Sequence, residues 1–176
     1  ALLMTNDGGV NWRHAGDRLD NPQQMHLNGV VGDSQGHVWI AGETGLLFRS
    51  GDGGASWVSL DSPYQGTCFG IALAPDSGRL IAYGLRGNAF FSDDGGDTWR
   101  RSTIDSDRSI AGGSWLNDRY VVLVGNVGNL LVSRDGGETF TDRSLPSRMN
   151  LSAVATQHGR LYAVGQGGVY QAGTVK

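Results

Sequence analysis

Apolar residues fall in short runs along the chain, each bounded by glycine or a polar turn. Val38-Trp-Ile-Ala-Gly42, Leu80-Ile-Ala-Tyr-Gly84, Val121-Val-Leu-Val-Gly125 and Leu161-Tyr-Ala-Val-Gly165 are the densest. They are rich in β-branched and aromatic side chains, and no window holds helical apolar spacing for long enough to compete, so they predict strands. Apolar stretches at 27–32, 69–74 and 151–156, the first two containing glycine, precede them, across polar turns such as Asp33-Ser-Gln-Gly36, Pro75-Asp-Ser-Gly78 and Asn117-Asp118. Turns of that composition join antiparallel strands. Shorter runs at 46–49 and 89–91 follow, each leading into an Asp-Gly-Gly segment closed by an aromatic residue. Each unit therefore reads as four strands, A to D, with strand D starting at that aromatic.

The units repeat. Thr5-Asn-Asp-Gly-Gly-Val-Asn-Trp12, Ser50-Gly-Asp-Gly-Gly-Ala-Ser-Trp57, Ser92-Asp-Asp-Gly-Gly-Asp-Thr-Trp99 and Ser133-Arg-Asp-Gly-Gly-Glu-Thr-Phe140 align, with aspartates 45, 42 and 41 residues apart. A second marker, Gly-x-x-Gly after strand B, keeps the same step: Gly42, Gly84, Gly125 and Gly165 are 42, 41 and 40 apart. Four-stranded units of about 40–45 residues are the signature of β-propeller blades. The expected fold is all-β, a propeller of four-stranded antiparallel blades over 1–176, with repeats near 1–19, 26–60, 67–104, 109–145 and 150–173.

The Asp-Gly-Gly segment suits a tight C–D turn. Glycine adopts positive φ without steric cost, and the Ser/Thr hydroxyl and Asp carboxylate can bond turn amides that would otherwise lack partners. The closing aromatic is expected between neighbouring blades, where burying ~150–250 Å² contributes on the order of 4–6 kcal/mol at most. Asp7 with Trp12, Asp52 with Trp57, Asp94 with Trp99 and Asp135 with Phe140 are thus structural clasps, not catalysts.

This pattern resembles the Asp-box, or BNR repeat, of sialidase-like propellers. The longer stretch Ala41-Gly-Glu-Thr-Gly-Leu-Leu-Phe-Arg-Ser-Gly-Asp-Gly-Gly-Ala-Ser-Trp57 is similar to the blades of the photosystem II stability/assembly factor family. The resemblance spans essentially the whole chain. It departs at Phe140, which stands where Trp is usual, and at the last repeat, which lacks a box. It implies a non-enzymatic protein-binding scaffold in the periplasm or thylakoid lumen, presenting rigid loops to protein partners that could include membrane-complex subunits.

Composition narrows the chemistry. With 29 Gly, only 4 Pro, 5 Trp and 5 Phe the chain is neither collagen nor a flexible linker. A net charge of −3 argues against nucleic acid as partner, and no apolar run is long enough for a membrane span. Cys68 stands alone, so neither a disulfide nor a thiolate cluster can form within the chain. Thirteen of the 14 basic residues are arginine, the side chain suited to bidentate carboxylate contacts; only Lys176 differs. Asp93, Asp94 and Asp97 lack the spacing of a calcium loop. His14, His26, His37 and His158 are scattered, and Ser114 lacks the second glycine of a nucleophile elbow. No cofactor is expected. The enzymatic alternative is a fragment of an Asp-box glycoside hydrolase, of sialidase or xyloglucanase type, with Tyr83, Tyr120 or Tyr162 as conceivable nucleophiles; all three sit in B strands, where aromatics are more often core.

In a propeller the D–A and B–C connections share one face, and the boxes lie on the other. The first face collects Asp17, Arg18, Asp20, Asp61, Asp105 and Asp107, and the expected protein-binding residues Glu43, Tyr64, Arg86, Arg108 and Arg148. Arg100, Arg101 and Arg143, on D strands, are candidate extensions. Residues 1–4 read as the end of a C strand, so the expectation is part of a roughly seven-bladed wheel. The alternative is a four-bladed wheel in which residues 12–15 pair with the last blade.

Overall fold

The computed structural model describes residues 1–157 and 160–174. His158 and Lys176 lie outside the described residues. The described chain forms seventeen strands and no α-helix. Blade 1 holds β1 (Leu3–Met4) and β2 (Arg13–His14); blade 2 holds β3 (Leu27–Gly32), β4 (Val38–Gly42), β5 (Leu47–Ser50) and β6 (Val58–Ser59). Blade 3 holds β7 (Cys68–Leu73), β8 (Leu80–Gly84), β9 (Ala89–Ser92) and β10 (Arg100–Arg101). Blade 4 holds β11 (Ile110–Trp115), β12 (Val121–Gly125), β13 (Leu130–Ser133) and β14 (Thr141–Asp142). Blade 5 holds β15 (Leu151–Gln157), β16 (Arg160–Gly165) and β17 (Gly168–Thr174). Every blade is an antiparallel meander in chain order, as the repeat predicts.

The innermost strands explain the glycines of strand A. In blades 2 to 5 the A–B pairing shifts register just after its first residue, at Leu27/Gly29, Cys68/Gly70, Ile110/Gly112 and Leu151/Ala153. At that bulge neighbouring inner strands converge. A Cβ on Gly29 would meet the Cα of Gly70 at 2.8 Å, and one on Gly112 would meet the carbonyl oxygen of Ser152 at 2.8 Å. A side chain there would hold the blades apart.

The core lies between blades rather than within one. Trp39, Leu47, Ile71 and Leu80 join blades 2 and 3, while Ile81, Tyr83, Ile110, Leu123 and Leu131 join blades 3 and 4. Val122, Val124, Leu151 and Leu161 join blades 4 and 5. Strands β8 and β12 are buried on both faces along their whole length, which is why their sequences run apolar without alternation.

Two expectations need correction. Trp12 does not pack between blades: it is 61 % exposed, whereas Phe140 is 9 % exposed and Trp57 and Trp99 are half-buried. Among the described residues no earlier blade covers blade 1, and Leu3, at the register of buried Phe48 and Phe90, is left 54 % exposed for the same reason. Nor does segment 12–15 pair with the last blade. Strand β2 pairs with β1, His14 opposite Leu3, and β17 pairs with β16.

Candidate protein-binding face

After the B strands of blades 2, 3 and 4 the chain makes a single 3₁₀ turn, Glu43–Gly45, Leu85–Gly87 or Asn126–Gly128. The Gly-x-x-Gly marker is the sequence trace of this turn. The first glycine lets the incoming D–A loop press its carbonyl against the turn: a Cβ would come within 2.6 Å of His26 O at Gly42, 2.1 Å of Thr67 O at Gly84, and 1.9 Å of Ser109 O at Gly125. Those same carbonyls accept the next amide of the turn, from Glu43 at 3.0 Å, Leu85 at 3.1 Å and Asn126 at 3.0 Å. B–C turns and D–A loops are therefore fastened together on one face. The boxes pack on the A–B turns instead, with Gly53 N donating to Gly36 O and Gly136 N to Arg119 O, both at 2.9 Å.

Backbone strain separates the two faces. On the box face the paired glycines take up the positive φ angles, from Gly8 and Gly9 to Gly136 and Gly137. Among the described residues five other than glycine also have positive φ: Gln24, Thr44, Arg86, Val127 and Arg148. All five lie in B–C turns or D–A loops. Thr44 and Val127 are β-branched, for which this conformation is a genuine outlier. The apolar B strand and the second glycine were readable in the sequence; the strain at the residue between the glycines was not, since Thr, Arg and Val give no sign of it.

The five expected binding residues divide. Arg86 and Arg148 are exposed at the tips of their loops, and neither lies within 4 Å of a carboxylate among the described residues. Arg108 is tied down: Nη2 donates to Asp142 Oδ2 at 2.5 Å, Nε to Ser106 Oγ at 3.2 Å and Nη1 to Val127 O at 3.4 Å. Tyr64 is half-buried and stacks on Phe90 with ring centroids 6.0 Å apart, so its ring belongs to the joint between blades 2 and 3. Glu43 is half-buried and accepts from His26 N at 3.0 Å and faces His26 Nδ1 at 3.1 Å. The backbone amide and imidazole of His26 hold that carboxyl below its ordinary pKa. Of the candidate extensions, Arg100 pairs with Asp93 and lies over the Phe91 ring, and Arg101 Nη2 donates to Asn88 Oδ1 at 3.0 Å.

The boxes close as their residue types require. In the third, Ser92 Oγ donates to Asp94 Oδ1 at 2.8 Å and accepts Gly96 N at 2.8 Å. Asp94 in turn accepts Thr98 N at 2.9 Å and Thr98 Oγ1 at 2.5 Å. The Thr98 hydroxyl and amide push the Asp94 carboxyl down to about 2, and Ser56 does the same to Asp52. Such carboxylates stay charged and fully engaged in the turn, which removes them from general acid chemistry near neutrality. Tyr83 fits no nucleophile either: burial pushes its phenol up to about 12, against Gly70 and Gly113. Among the described residues no three His, Cys, Asp or Glu side chains gather into a set able to hold a metal ion, and no helix is long and apolar enough to cross a membrane.

Radial blades clasped by Asp-boxes define an Asp-box β-propeller, and on its opposite face Arg86 and Arg148 stand on strained turns without a carboxylate partner among the described residues. The family described as photosynthesis system II assembly factor YCF48 matches residues 1–112. This chain belongs to that family. It is 30 % identical over 172 residues to the photosystem II assembly lipoprotein Ycf48 of Synechococcus sp. (strain CC9902), covering 94 % of this chain and 50 % of that protein. The chain thus spans about half the length of this curated relative. Among solved structures it is similar to YCF48 bound to D1 peptide, with TM-score 0.70, 20 % identity, and 94 % of this chain and 54 % of that one covered. An ancestral GH74 enzyme shares the fold at TM-score 0.71 and 17 % identity, over 85 % of this chain and 23 % of that one.

Proposed function

We propose that this chain is a non-enzymatic scaffold of photosystem II assembly, which holds a carboxylate-bearing polypeptide segment on its B–C/D–A face. The observation that carries the reading is the pair Arg86 and Arg148, exposed and without a carboxylate partner among the described residues, on turns braced by the backbone hydrogen bonds Leu85 N to Thr67 O, Asn88 N to Leu85 O and Arg148 N to Leu145 O. Arginine on a pre-ordered loop binds carboxylates in fork geometry and loses little entropy on docking. Family membership supports the assembly role, and the related YCF48 whose structure contains a D1 peptide supports a peptide of a membrane complex as the partner. The corresponding site of action is extracytoplasmic, in the periplasm or thylakoid lumen, as suits a relative named a lipoprotein.

Titration with D1 peptide and with a Glu/Ala peptide, read by fluorescence anisotropy, tests this reading. Arg86→Ala and Arg148→Ala should each weaken binding about tenfold and leave the melting temperature unchanged. Equal affinity for a Lys/Ala peptide, or turnover of xyloglucan or sialosides by the purified chain, would overturn it.

A further inference from the structure

Arg108 lies between two of the turns that form this face. Its guanidinium crosses from the D–A loop of blade 3 to blade 4, where it meets the Asp142 carboxylate at 2.5 Å and the carbonyl oxygen of Val127 at 3.4 Å. Asp142 is itself held from the other side, accepting Ser144 N at 2.7 Å. On the blade 3 side, Arg108 Nε reaches Ser106 Oγ, and the Ser106 carbonyl is pressed on Gly87, where a Cβ would be 1.9 Å away. The next residue, Ser109, completes the link, because its hydroxyl lies 3.4 Å from the Arg86 amide and its carbonyl accepts Asn126 N at 3.0 Å. One side chain is therefore connected to both strained turns: Arg86 at φ 56 in blade 3 and Val127 at φ 57 in blade 4.

The repeat does not require this arrangement. In the D–A loop of blade 2 the position of Arg108 is occupied by Gly66, and the positions of Asp142 in blades 2 and 3 are occupied by Ser59 and Arg101. The pair belongs to one joint of the propeller. Positive-φ residues other than glycine persist only where their surroundings over-determine them. Thr44 holds the same conformation without such a pair, so the Arg108 fork is a constraint added at the joint nearest the exposed Arg86.

We propose that Arg108 is a positioning residue: paired with Asp142, it clamps the strained turns of blades 3 and 4 together and so fixes the outward pose of Arg86. The inference rests on the proposed peptide-binding face, and it makes a prediction opposite in sign to simple electrostatics. Removing the Asp142 charge makes the face more positive. If the charge were all that mattered, Asp142→Asn would tighten binding of an acidic peptide. If Asp142 acts by holding Arg108, the same change weakens it.

The experiment compares wild type, Arg86→Ala, Arg108→Lys, Asp142→Asn and the Arg86→Ala/Asp142→Asn double variant. It uses a fluorescein-labelled Glu/Ala peptide at several salt concentrations, with hydrogen exchange of the turns measured in parallel. Asp142→Asn should weaken binding by about three- to tenfold while leaving its salt dependence as in wild type, because Arg86 remains the charged contact. Arg86→Ala should flatten the salt dependence. In the double variant Asp142→Asn should add nothing, since there is no pose left to fix. Without any ligand, Asp142→Asn and Arg108→Lys should speed exchange in 84–88 and 125–129 and leave 42–46 unchanged. Tighter or unaltered binding by Asp142→Asn, or unaltered exchange in both turns, overturns the clamp. Unaltered binding by Arg86→Ala alongside faster exchange overturns the binding face and leaves the clamp standing as structure.

Discussion

The carbonyl oxygen of Ser109 lies 1.9 Å from the point where a Cβ would stand on Gly125. No rotamer change relieves such a contact, because both partners are backbone. Gly125→Ala must push the D–A loop off the B–C turn and cost the Asn126–Ser109 hydrogen bond as well. The expected loss is about 3 kcal/mol or more, read as a fall in denaturant midpoint. Gly78→Ala, where an added Cβ has open space around it, is the control for positive φ without a clash and should cost about 1–2 kcal/mol. Equal losses at the two sites would contradict the contact argument.

The same motif should matter by different amounts in different blades. Ser133 is fully buried and its Oγ is the partner of the Gly137 amide at 2.8 Å, so Ser133→Ala strands a buried N–H at a cost of about 1–3 kcal/mol. Thr5 makes the equivalent bond to Gly9 at 3.0 Å beside solvent, where water can replace it. Thr5→Ala should therefore shift the unfolding midpoint much less. Equal shifts would mean that the boxes do not depend on burial.

Acid should loosen the boxes first. Hydrogen bonds hold the carboxyls of Asp7, Asp52 and Asp94 at about 2, below an ordinary value of 3.8. A carboxylate depressed in the folded state contributes stability that is present above its unfolded pKa and lost as pH falls through the folded one. Melting temperature should thus be flat above about pH 5 and fall between about pH 4 and 2, and Asp94→Asn should make that fall shallower. A decline beginning near pH 6 would show that the box carboxylates are not its cause.

Val127 offers a test of strain. A β-branched residue in the left-handed region costs about 1–2 kcal/mol relative to one that tolerates it. Val127→Asn should therefore leave stability unchanged or raise it by up to about 1 kcal/mol, against the usual rule for replacing an apolar residue. A clear loss in thermal unfolding would show that the Val127 side chain contributes packing that outweighs the strain.

The blades were legible because two signals with one period specify them, and each has a backbone cause. The box needs two positive-φ glycines, and the B–C turn needs a glycine for a carbonyl to approach. Strand limits at 27–32 and 89 agree with the structure because burial and glycine bound them sharply. The face was legible only as a set of loops. Nothing in the residue types Arg86, Arg108 and Arg148 separates an exposed arginine from a clamped one, since the difference lies in Asp142, thirty-four residues beyond Arg108. Tyr64 misled for a similar reason: its partner Phe90 sits in the next blade. Trp12 shares the motif of Trp57, but among the described residues no neighbouring blade covers it.

The boxes of blades 3 and 4 also reach across to the blade before them through main-chain oxygens. Gly95 O accepts Trp39 Nε1 at 2.8 Å and Arg49 Nη1 at 3.0 Å, Gly136 O accepts Arg79 Nη1 at 3.0 Å, and Gly137 O accepts Ser102 Oγ at 2.6 Å. An indole, a guanidinium and a hydroxyl thus serve one kind of socket. Because the socket is peptide backbone, any donor of suitable reach can plug into it, and adjoining modules can drift in sequence without losing their coupling.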